Sequence, residues 1–197
     1  AALEVALHAC SVRGKAVLTT PYTFPSTVSA IIHAGGYPLF CDVHPETGLV
    51  DANQIHRHFV RDDIEIAAIL NVNLFGRVRS RCLAILASAY GVFLIDDNAQ
   101  CFRPGVTPVD NHFGCFSFYC TKSFSTLEGG MVATGCLGTN GHPRIADSMH
   151  QMQLKAHAAR ARQYADPVAN AEAGWTVIGR GCRMHPHAAL MGYERLK

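Results

Sequence analysis

Short apolar runs alternate along the chain with longer stretches in which apolar residues recur every three or four positions. The short runs predict strands at Ala16–Thr19, Pro38–Val43, Ile66–Val72, Val92–Ile95, Phe113–Tyr119 and Met131–Thr134. The periodic stretches predict helices over residues 1–12 and Ser26–His33, from Asp51, over Ser80–Tyr90 and Pro143–Tyr164, and from Pro186. Apolar strands that alternate with helices predict an α/β fold, in which a mostly parallel sheet carries helices on both faces.

The composition is typical of one domain with a large interior. The chain has 197 residues, of which 49% are hydrophobic and 16% charged, and no apolar run is as long as a membrane span. The first residues lack the basic segment of a signal peptide and have the pattern of a helix interior, with no capping residue before Leu3. We therefore expect the chain to begin inside a domain, and we place its one candidate hinge at Asp166–Ala173.

Charge and cysteine usage exclude several functions. The net charge is +2 and the basic residues do not form a stripe, which argues against nucleic-acid binding. The densest basic group, Arg77, Arg79 and Arg81, is interpreted as the solvated start of a helix. The eight cysteines include no C-x-x-C pair and several lie in apolar contexts, which predicts reduced thiols and a cytoplasmic protein. Cys182 and the two histidines after it lack a second ligand pair, so no metal site is predicted.

Ligands of parallel α/β sheets bind at the carboxyl ends of the strands. The residues at these ends are Tyr22–Phe24, Asn71–Gly76, Asp96–Gln100 and Thr121–Lys122. Lys122 lies between two strand-like runs, where an amine could hold an aldehyde cofactor as a Schiff base, because burial lowers the pKa of a lysine. The alternative is an ordinary solvated lysine.

Other side chains at the same edge suit a pyridine-type cofactor. An ionised Asp97 could pair with a protonated ring nitrogen, as pyridoxal phosphate requires, although Asp96 or Asp97 could instead cap the next helix. Phe24 is suited to lie flat on a ring, or to serve as a core or lid residue. Gln100 could donate a hydrogen bond to a ring hydroxyl oxygen, or be a surface amide. Ser117 could bind a phosphate oxygen if a turn at Cys120-Thr121 brings it near Lys122; otherwise its hydroxyl bonds to the backbone.

These residues lie in an ordered series of motifs that resembles the DegT/StrS sugar aminotransferases. The matching motifs are P-x-T-F-x-[AS]-T at Pro21–Thr27, D-V at Asp42-Val43, L-Y-G at Leu74–Gly76, I-E-D-A-A-Q at Ile95–Gln100, S-F-Y-P-T-K at Ser117–Lys122, G-E-G-G ending at Gly130, and R-M at Arg183-Met184. Each motif alone is weak evidence for this resemblance, but together the motifs occur in the family's order and cover most of the chain.

The resemblance implies a fold type I enzyme that depends on pyridoxal 5'-phosphate. It implies that Lys122 holds the cofactor covalently, that Asp97 pairs with the pyridine nitrogen, and that Phe24 stacks on the ring. Gln100 would contact the ring hydroxyl oxygen and Ser117 the phosphate. The implied reaction moves an amino group from glutamate or glutamine to a keto-sugar nucleotide, in amino-sugar, glycan or antibiotic biosynthesis, within a cytoplasmic homodimer that binds neither nucleic acid nor membrane.

Several positions depart from the family pattern. Asn73 replaces a histidine, Cys120 a proline, Ser123 an asparagine, and Gly181 the asparagine that reaches a neighbouring subunit's phosphate. The Gly-Thr or Gly-Ser pair that cups the phosphate and the small C-terminal domain would lie outside residues 1–197, so we interpret the chain as an incomplete large domain.

The departures keep a second hypothesis open. The chain could be an impaired family member that acts as a binding, regulatory or partner subunit. A family dehydratase is disfavoured, because those enzymes replace the lysine by histidine and this chain has Lys122. A nicotinamide-binding domain is disfavoured because no G-x-G-x-x-G follows the first strand.

Overall fold

One six-stranded sheet organises the molecule. The computed structural model describes residues 1–60, 63–103, 110–134 and 186–196. Within these residues the strands are β1 Ala16–Thr19, β2 Tyr37–Phe40, β3 Ile66–Val72, β4 Phe93–Asp97, β5 Phe113–Ser117 and β6 Gly130–Thr134. They lie in the order β2-β1-β3-β4-β5-β6; β1 to β5 are parallel, and β6 is antiparallel to β5. The predicted mostly parallel sheet is confirmed.

Helices cover both faces of this sheet, as predicted. The described helices are α1 Ala2–Ala9, α2 Pro25–His33, α3 Ala52–Phe59, α4 Cys82–Tyr90 and α5 Pro186–Leu196, with a short 3-10 turn at Leu74–Gly76. One apolar core lies under α1 and α2 and the other under α3 and α4. The predicted helix at Pro143–Tyr164 and the candidate hinge at Asp166–Ala173 lie outside the described residues.

Neighbouring residues of a strand are buried in opposite cores. Ile69 packs under α3 and α4, whereas Leu70 packs under α1 and α2, and Leu94 and Ile95 divide in the same way. Each is fully buried, and burying one such side chain stabilises the fold by about 1.5–3 kcal/mol. This double burial explains why the strands have continuous apolar runs instead of alternating ones.

Three predicted elements end earlier than their sequence pattern suggests. The first helix stops at Ala9, and Ser11 then takes a left-handed φ of 52°. Strand β2 stops at Phe40, beyond which Val43 forms only an isolated bridge with Val50. Strand β5 stops at Ser117, where the chain turns toward Lys122. Apolar residues therefore continue past each element because the loops are also partly buried.

Arg79 corrects the interpretation of the basic group at the start of α4. Its side chain is 1% exposed, and its Nε donates to both carboxylate oxygens of Asp96, at 2.8 and 3.0 Å. Its Nη2 donates to the backbone and side-chain oxygens of Asp110, each at 2.8 Å. Arg81 is 89% exposed, as the solvated interpretation expects. Arg79 is instead a buried partner, because Asp96 is fully buried on the adjacent strand and requires a cation.

Amides complete a buried polar network around Asp96. Asn71 and Asn111 donate to Asp96 at 2.9 and 2.8 Å. Asn73 accepts from Asn71 at 3.0 Å and donates to Asn98 at 2.6 Å. All four amide residues are buried. The network therefore fixes the carboxyl ends of β3 and β4 to each other beneath the edge at which ligands are expected.

We expect Arg79→Met to lower the free energy of unfolding by about 3–5 kcal/mol, because it leaves the Asp96 charge buried without its cation. The matched control is Arg81→Met, which removes an exposed cation 3.5 Å from the same Asp110 and should change that energy by less than about 0.5 kcal/mol. Chemical denaturation of both variants makes the comparison. Equal losses would contradict the assignment of Arg79 as the essential partner of Asp96.

Candidate active site

Asp97 ends β4 and lies on the face covered by α2. The Thr27 hydroxyl donates to Asp97 Oδ2 at 3.1 Å, and the Ala99 N–H donates to Asp97 Oδ1 at 3.0 Å. The hydroxyls of Thr23 and Thr27 are 2.9 Å apart. Because Thr27 has one hydroxyl hydrogen and gives it to Asp97, Thr23 must donate to Thr27. Asp97 is thus held by a directed chain of hydroxyls and by the turn that follows its strand.

The buried position of Asp97 disfavours its charge. Loss of hydration raises the pKa of Asp97 above its ordinary value. The Ala99 N–H, the Thr27 hydroxyl and the charge of Lys122 act in the opposite direction, whereas the charge of Asp96 raises the pKa further. Asp97 therefore lacks the full cationic partner that Asp96 has in Arg79.

Lys122 follows a tight turn after β5. Its backbone N–H donates to the Tyr119 carbonyl at 2.9 Å, which closes a turn across Cys120-Thr121. This is the turn that the sequence required for Ser117 and Lys122 to approach one site. Lys122 is partly buried, and within the described residues its amine forms no ion pair or hydrogen bond. The positive charge of Lys122 lowers the pKa of Asp97.

Ser117 lies at the end of β5, on the same face as Asp97. Asp97 is in register with Cys115, and Ser117 is two residues further along that strand. Ser117 pairs with Gly130 on β6, and a Cβ on Gly130 would lie 3.8 Å from the Ala2 Cβ in the first turn of α1. The same Cβ would lie only 2.8 Å from the Phe116 carbonyl oxygen, so glycine is required there. Ser117, whose hydroxyl has no hydrogen-bond partner among the described residues, is thus paired with the residue of β6 that approaches the first turn of α1.

Phe24 is the residue before α2, with an extended ψ of 143°, and its ring is 68% exposed. Its carbonyl accepts the Thr27 N–H at 3.1 Å, in the first turn of the helix. Phe24 is thus one helical turn from the residue that bonds to Asp97. An exposed ring on a backbone that is fixed in this way excludes the core role that the sequence left open.

Gln100 is oriented by the turn beside it. Its Oε1 accepts the backbone N–H of Phe75 at 2.7 Å. This bond sets the orientation of the Gln100 side-chain amide. Since Oε1 faces the Phe75 N–H, the Nε2 hydrogens point away from Phe75 and remain available as donors. The turn itself is strained, since Phe75 takes a left-handed φ of 57° although it is not glycine.

Sequence reasoning missed the residues that support Asp97. Thr27 and Thr23 occur in the quoted P-x-T-F-x-[AS]-T motif, but no role was assigned to their hydroxyls. The available signal was Thr27 in the first turn of a helix that follows a strand, since such turns lie at the carboxyl edge of the sheet. The predicted alternative was that Asp97 caps a helix. Asp97 does accept a backbone N–H, that of Ala99, but this bond stabilises a turn and not a helix.

The described segments hold neither a metal-binding cluster nor a membrane-spanning helix. No group of three or more histidine, cysteine, aspartate or glutamate side chains there is arranged to hold a metal ion. Cys182 and His185 lie outside these segments. None of the described helices has the length and apolar content that crossing a bilayer demands. No disulfide joins any two of the described cysteines, which are Cys10, Cys41, Cys82, Cys101, Cys115 and Cys120.

Comparison with known proteins identifies relatives of this arrangement. The sequence profile of the DegT/DnrJ/EryC1/StrS aminotransferase family matches residues 1–197. The spore coat polysaccharide biosynthesis protein SpsC of Bacillus subtilis is 34% identical over 141 residues, which are 68% of this chain and 35% of that protein. The UDP-4-amino-4,6-dideoxy-N-acetyl-beta-L-altrosamine transaminase of Campylobacter jejuni is 31% identical over 138 residues, 68% of this chain and 36% of that protein.

A solved structure agrees with these sequence relatives. The X-ray structure of the aminotransferase from Psychrobacter cryohalolentis matches with a TM-score of 0.76 and 28% sequence identity. The match covers 99% of this chain and 49% of that chain. The chain thus spans about half of the solved structure, and its aligned residues cover about a third of the curated relatives.

The raised pKa of Asp97 predicts a pH-dependent stability of the cofactor-free protein. A carboxyl whose pKa is higher when folded binds its proton more tightly in the folded state. Its stabilisation is therefore complete below the unfolded pKa of about 3.9 and is lost as the pH rises through the folded pKa. We expect Asp97→Asn to remove this loss, so that the variant gains stability relative to wild type between acidic and neutral pH.

Thr27→Val provides the opposite change in the same measurement. It removes a hydrogen bond that lowers the pKa of Asp97, so the loss of stability with rising pH should become larger and extend to higher pH. Denaturant titrations at a series of pH values give the three profiles. Parallel profiles for all three proteins would show that Asp97 does not control this dependence.

Proposed function

We propose that this chain, which belongs to the DegT/DnrJ/EryC1/StrS aminotransferase family, forms the cofactor-binding part of a pyridoxal phosphate-dependent sugar aminotransferase. The whole protein would move an amino group from an amino acid to a keto-sugar nucleotide. One arrangement carries the proposal: Lys122, on the turn that follows β5, and the buried carboxylate of Asp97, at the end of β4, both lie at the carboxyl edge of the sheet. The Campylobacter relative, named as a transaminase of a UDP-linked amino sugar, supports the substrate class.

The described residues fit pyridoxal phosphate. Asp97 is buried with only a hydroxyl and an N–H for its charge, so a protonated ring nitrogen would supply the cation that it lacks. Gln100 presents donors that suit a ring hydroxyl oxygen. Phe24 offers an exposed ring one helical turn before Thr27, which bonds to Asp97, and the Ser117 hydroxyl, unbonded among the described residues, suits a phosphate oxygen. These four residues with Lys122 would hold the cofactor.

Each side chain has a definite task in the proposed reaction. When bound, the cofactor provides a protonated ring that withdraws electrons from the α-carbon of the amino donor. Asp97 keeps the proton on the ring nitrogen, because that proton provides the close cation that its buried carboxylate otherwise lacks. Lys122 Nζ removes a proton from the donor's α-carbon and later returns one, first as general base and then as general acid. The Thr23–Thr27 chain keeps Asp97 in place through both half-reactions.

Finer properties belong to the same proposal. Glutamate or glutamine as the donor, a homodimer with shared sites and a cytoplasmic location follow from the family resemblance and stay predictions. The second hypothesis, an impaired binding or regulatory subunit, was motivated by Asn73 and Gly181. Asn73 is committed to the buried network, where both of its amide atoms are bonded, and Gly181 lies outside the described residues. Transamination by the purified full-length protein would exclude the second hypothesis.

The decisive experiment replaces Lys122 in the full-length protein. Wild-type protein mixed with pyridoxal phosphate and reduced with borohydride should carry the cofactor covalently, and peptide mass spectrometry should place it on Lys122. Lys122→Ala should lose the label and at least about a thousandfold in transaminase rate, since the group that moves the proton is absent. Lys15→Ala is the matched control, because Lys15 is a surface lysine paired with Glu65 at 2.7 Å.

Two results would sink the proposal. The first is a label of equal yield in wild type and Lys122→Ala. The second is that the wild-type protein binds no pyridoxal phosphate although the unfolding curves show that both it and the Lys15→Ala control are folded.

Gln100→Glu tests the amide separately from the turn that it supports. Glutamate keeps an oxygen for the Phe75 N–H but loses the Nε2 donors and adds a negative charge, so stability should hold while cofactor affinity falls. The loss of one hydrogen bond to a charged oxygen predicts a decrease of about 10- to 100-fold. Gln54→Glu on α3 is the control, and titration of the cofactor-free protein is the measurement. Unchanged affinity in Gln100→Glu would remove Gln100 from the site.

A further inference from the structure

We infer that Phe102 is a positioning residue for Lys122, which it holds in place through a cluster of phenylalanine rings. Phe102 lies two residues after Gln100, on the segment that leaves the candidate site, and Lys122 lies on the loop after β5. The inference rests on the proposed function for its catalytic meaning, but the mechanical link is a property of the fold. It identifies how the two halves of the site, on β4 and β5, are kept in register.

The segment that carries Lys122 is a closed loop. We call residues 118–129 the lysine loop. The Phe118 N–H donates to the Gly129 carbonyl at 2.9 Å, and the Thr126 N–H donates to the Phe118 carbonyl at 3.0 Å. These backbone bonds close the base of the lysine loop, next to the end of β5 and the start of β6. Lys122 itself lies near the far end of the loop, so its position depends on what packs against the loop.

Four phenylalanine rings pack together at this loop, and one of them comes from the segment after β4. We call Phe102, Phe116, Phe118 and Phe124 the phenylalanine cluster. The ring centre of Phe102 is 4.7 Å from that of Phe124, 5.6 Å from Phe116 and 5.8 Å from Phe118. Phe118 and Phe124 are themselves 5.4 Å apart. Phe102 is the member that contacts all three others, and it is the only member outside β5 and the lysine loop.

The cluster lies on the opposite face of β5 from the candidate cofactor position. Phe116 and Phe118 are two residues apart and share one face, whereas Ser117 between them shares the face of Asp97. Phe102 therefore acts through the lysine loop, from behind, and has no need to touch the cofactor. Phe124 is two residues after Lys122, so the Phe102–Phe124 contact is the shortest packed route from the β4 connection to the lysine.

This arrangement gives the lysine loop two anchors. Phe102 holds it toward the end of β4, and Arg195 on α5 donates to the Ser125 carbonyl at 2.7 Å. Removing the Phe102 ring should leave the base of the loop intact but allow its Lys122 end to open. A protease that cleaves after lysine can detect this local opening, because its cleavage rate at Lys122 rises with the population of the open loop.

The test compares Phe102→Leu with Phe59→Leu in the full-length protein without cofactor. Phe59 is a fair control because it is also partly buried and stacks on Tyr90, with ring centres 4.1 Å apart, in the layer of α3 and α4. Trypsin cleavage between Lys122 and Ser123, followed by mass spectrometry at early times, should be about tenfold faster in Phe102→Leu, since three ring contacts are lost. Phe59→Leu should cleave at that bond as wild type does.

A second readout connects the loop to its proposed task. Borohydride-trapped attachment of pyridoxal phosphate at Lys122 should be several-fold slower in Phe102→Leu than in Phe59→Leu. If Phe102→Leu does not fold, Phe124→Leu replaces it, because that change removes the Phe102–Phe124 contact, together with the Phe118–Phe124 contact, from the loop side.

The outcomes separate this inference from the proposed function. Equal cleavage after Lys122 in wild type and Phe102→Leu, or equal acceleration in Phe59→Leu, would overturn the positioning role. Faster cleavage only in the cluster variants would support that role even if wild type attached no cofactor, a result that would overturn the proposed function alone. Faster cleavage with an unchanged rate of attachment would limit Phe102 to loop stability and reject it as a positioning residue for Lys122.

Discussion

Two adjacent buried aspartates at the end of β4 impose the main constraint on this structure. Strand alternation sends Asp96 and Asp97 to opposite faces, so each must find its own stabilisation. Asp96 obtains a buried arginine and two amides, which tie β3, β4 and the start of α4 together. Asp97 obtains only a hydroxyl and an N–H, and its pKa is raised. Asp96 therefore stabilises the scaffold, while the carboxylate of Asp97 remains without a paired cation at the edge of the sheet where ligands are expected.

The sequence predicts the sheet well because double burial leaves a clear pattern. The run Ile66–Val72 is apolar at six of its seven positions, with Asn71 as the exception, and its predicted bounds agree with the structure. The sequence predicts the strand-end residues for the same reason, since Asp97, Gln100 and Lys122 each interrupt or follow an apolar run. It fails at Arg79, whose neighbours Arg77 and Arg81 are exposed. No local pattern distinguishes these three arginines, because Asp96, the partner of Arg79, lies 17 positions away on β4.

The departure at Asn73 makes sense only in three dimensions. Asn73 bonds to Asn98 at 2.6 Å, and Asn98 is itself a departure from the resembling I-E-D-A-A-Q motif, which has alanine there. The two residues are 25 positions apart and lie at the ends of neighbouring strands. The Asn73 amide donates the hydrogen bond that the Asn98 side-chain oxygen accepts, so the two changes meet in one contact. When each motif is compared separately, Asn73 and Asn98 are two unrelated departures. In the fold they form one contact.

The unmet charge of Asp97 links cofactor binding to protonation. A ligand that carries a cation to Asp97 binds its ionised form more tightly than its neutral form, so by reciprocity the bound ligand must lower the pKa of Asp97. The same burial that makes the charge costly without ligand strengthens its interaction with a bound ring proton, since little water screens it. Arg79 prevents Asp96 from competing for that cation, because Asp96 is already paired. The scaffold and the site are thus two results of one arrangement of charge at the end of a single strand.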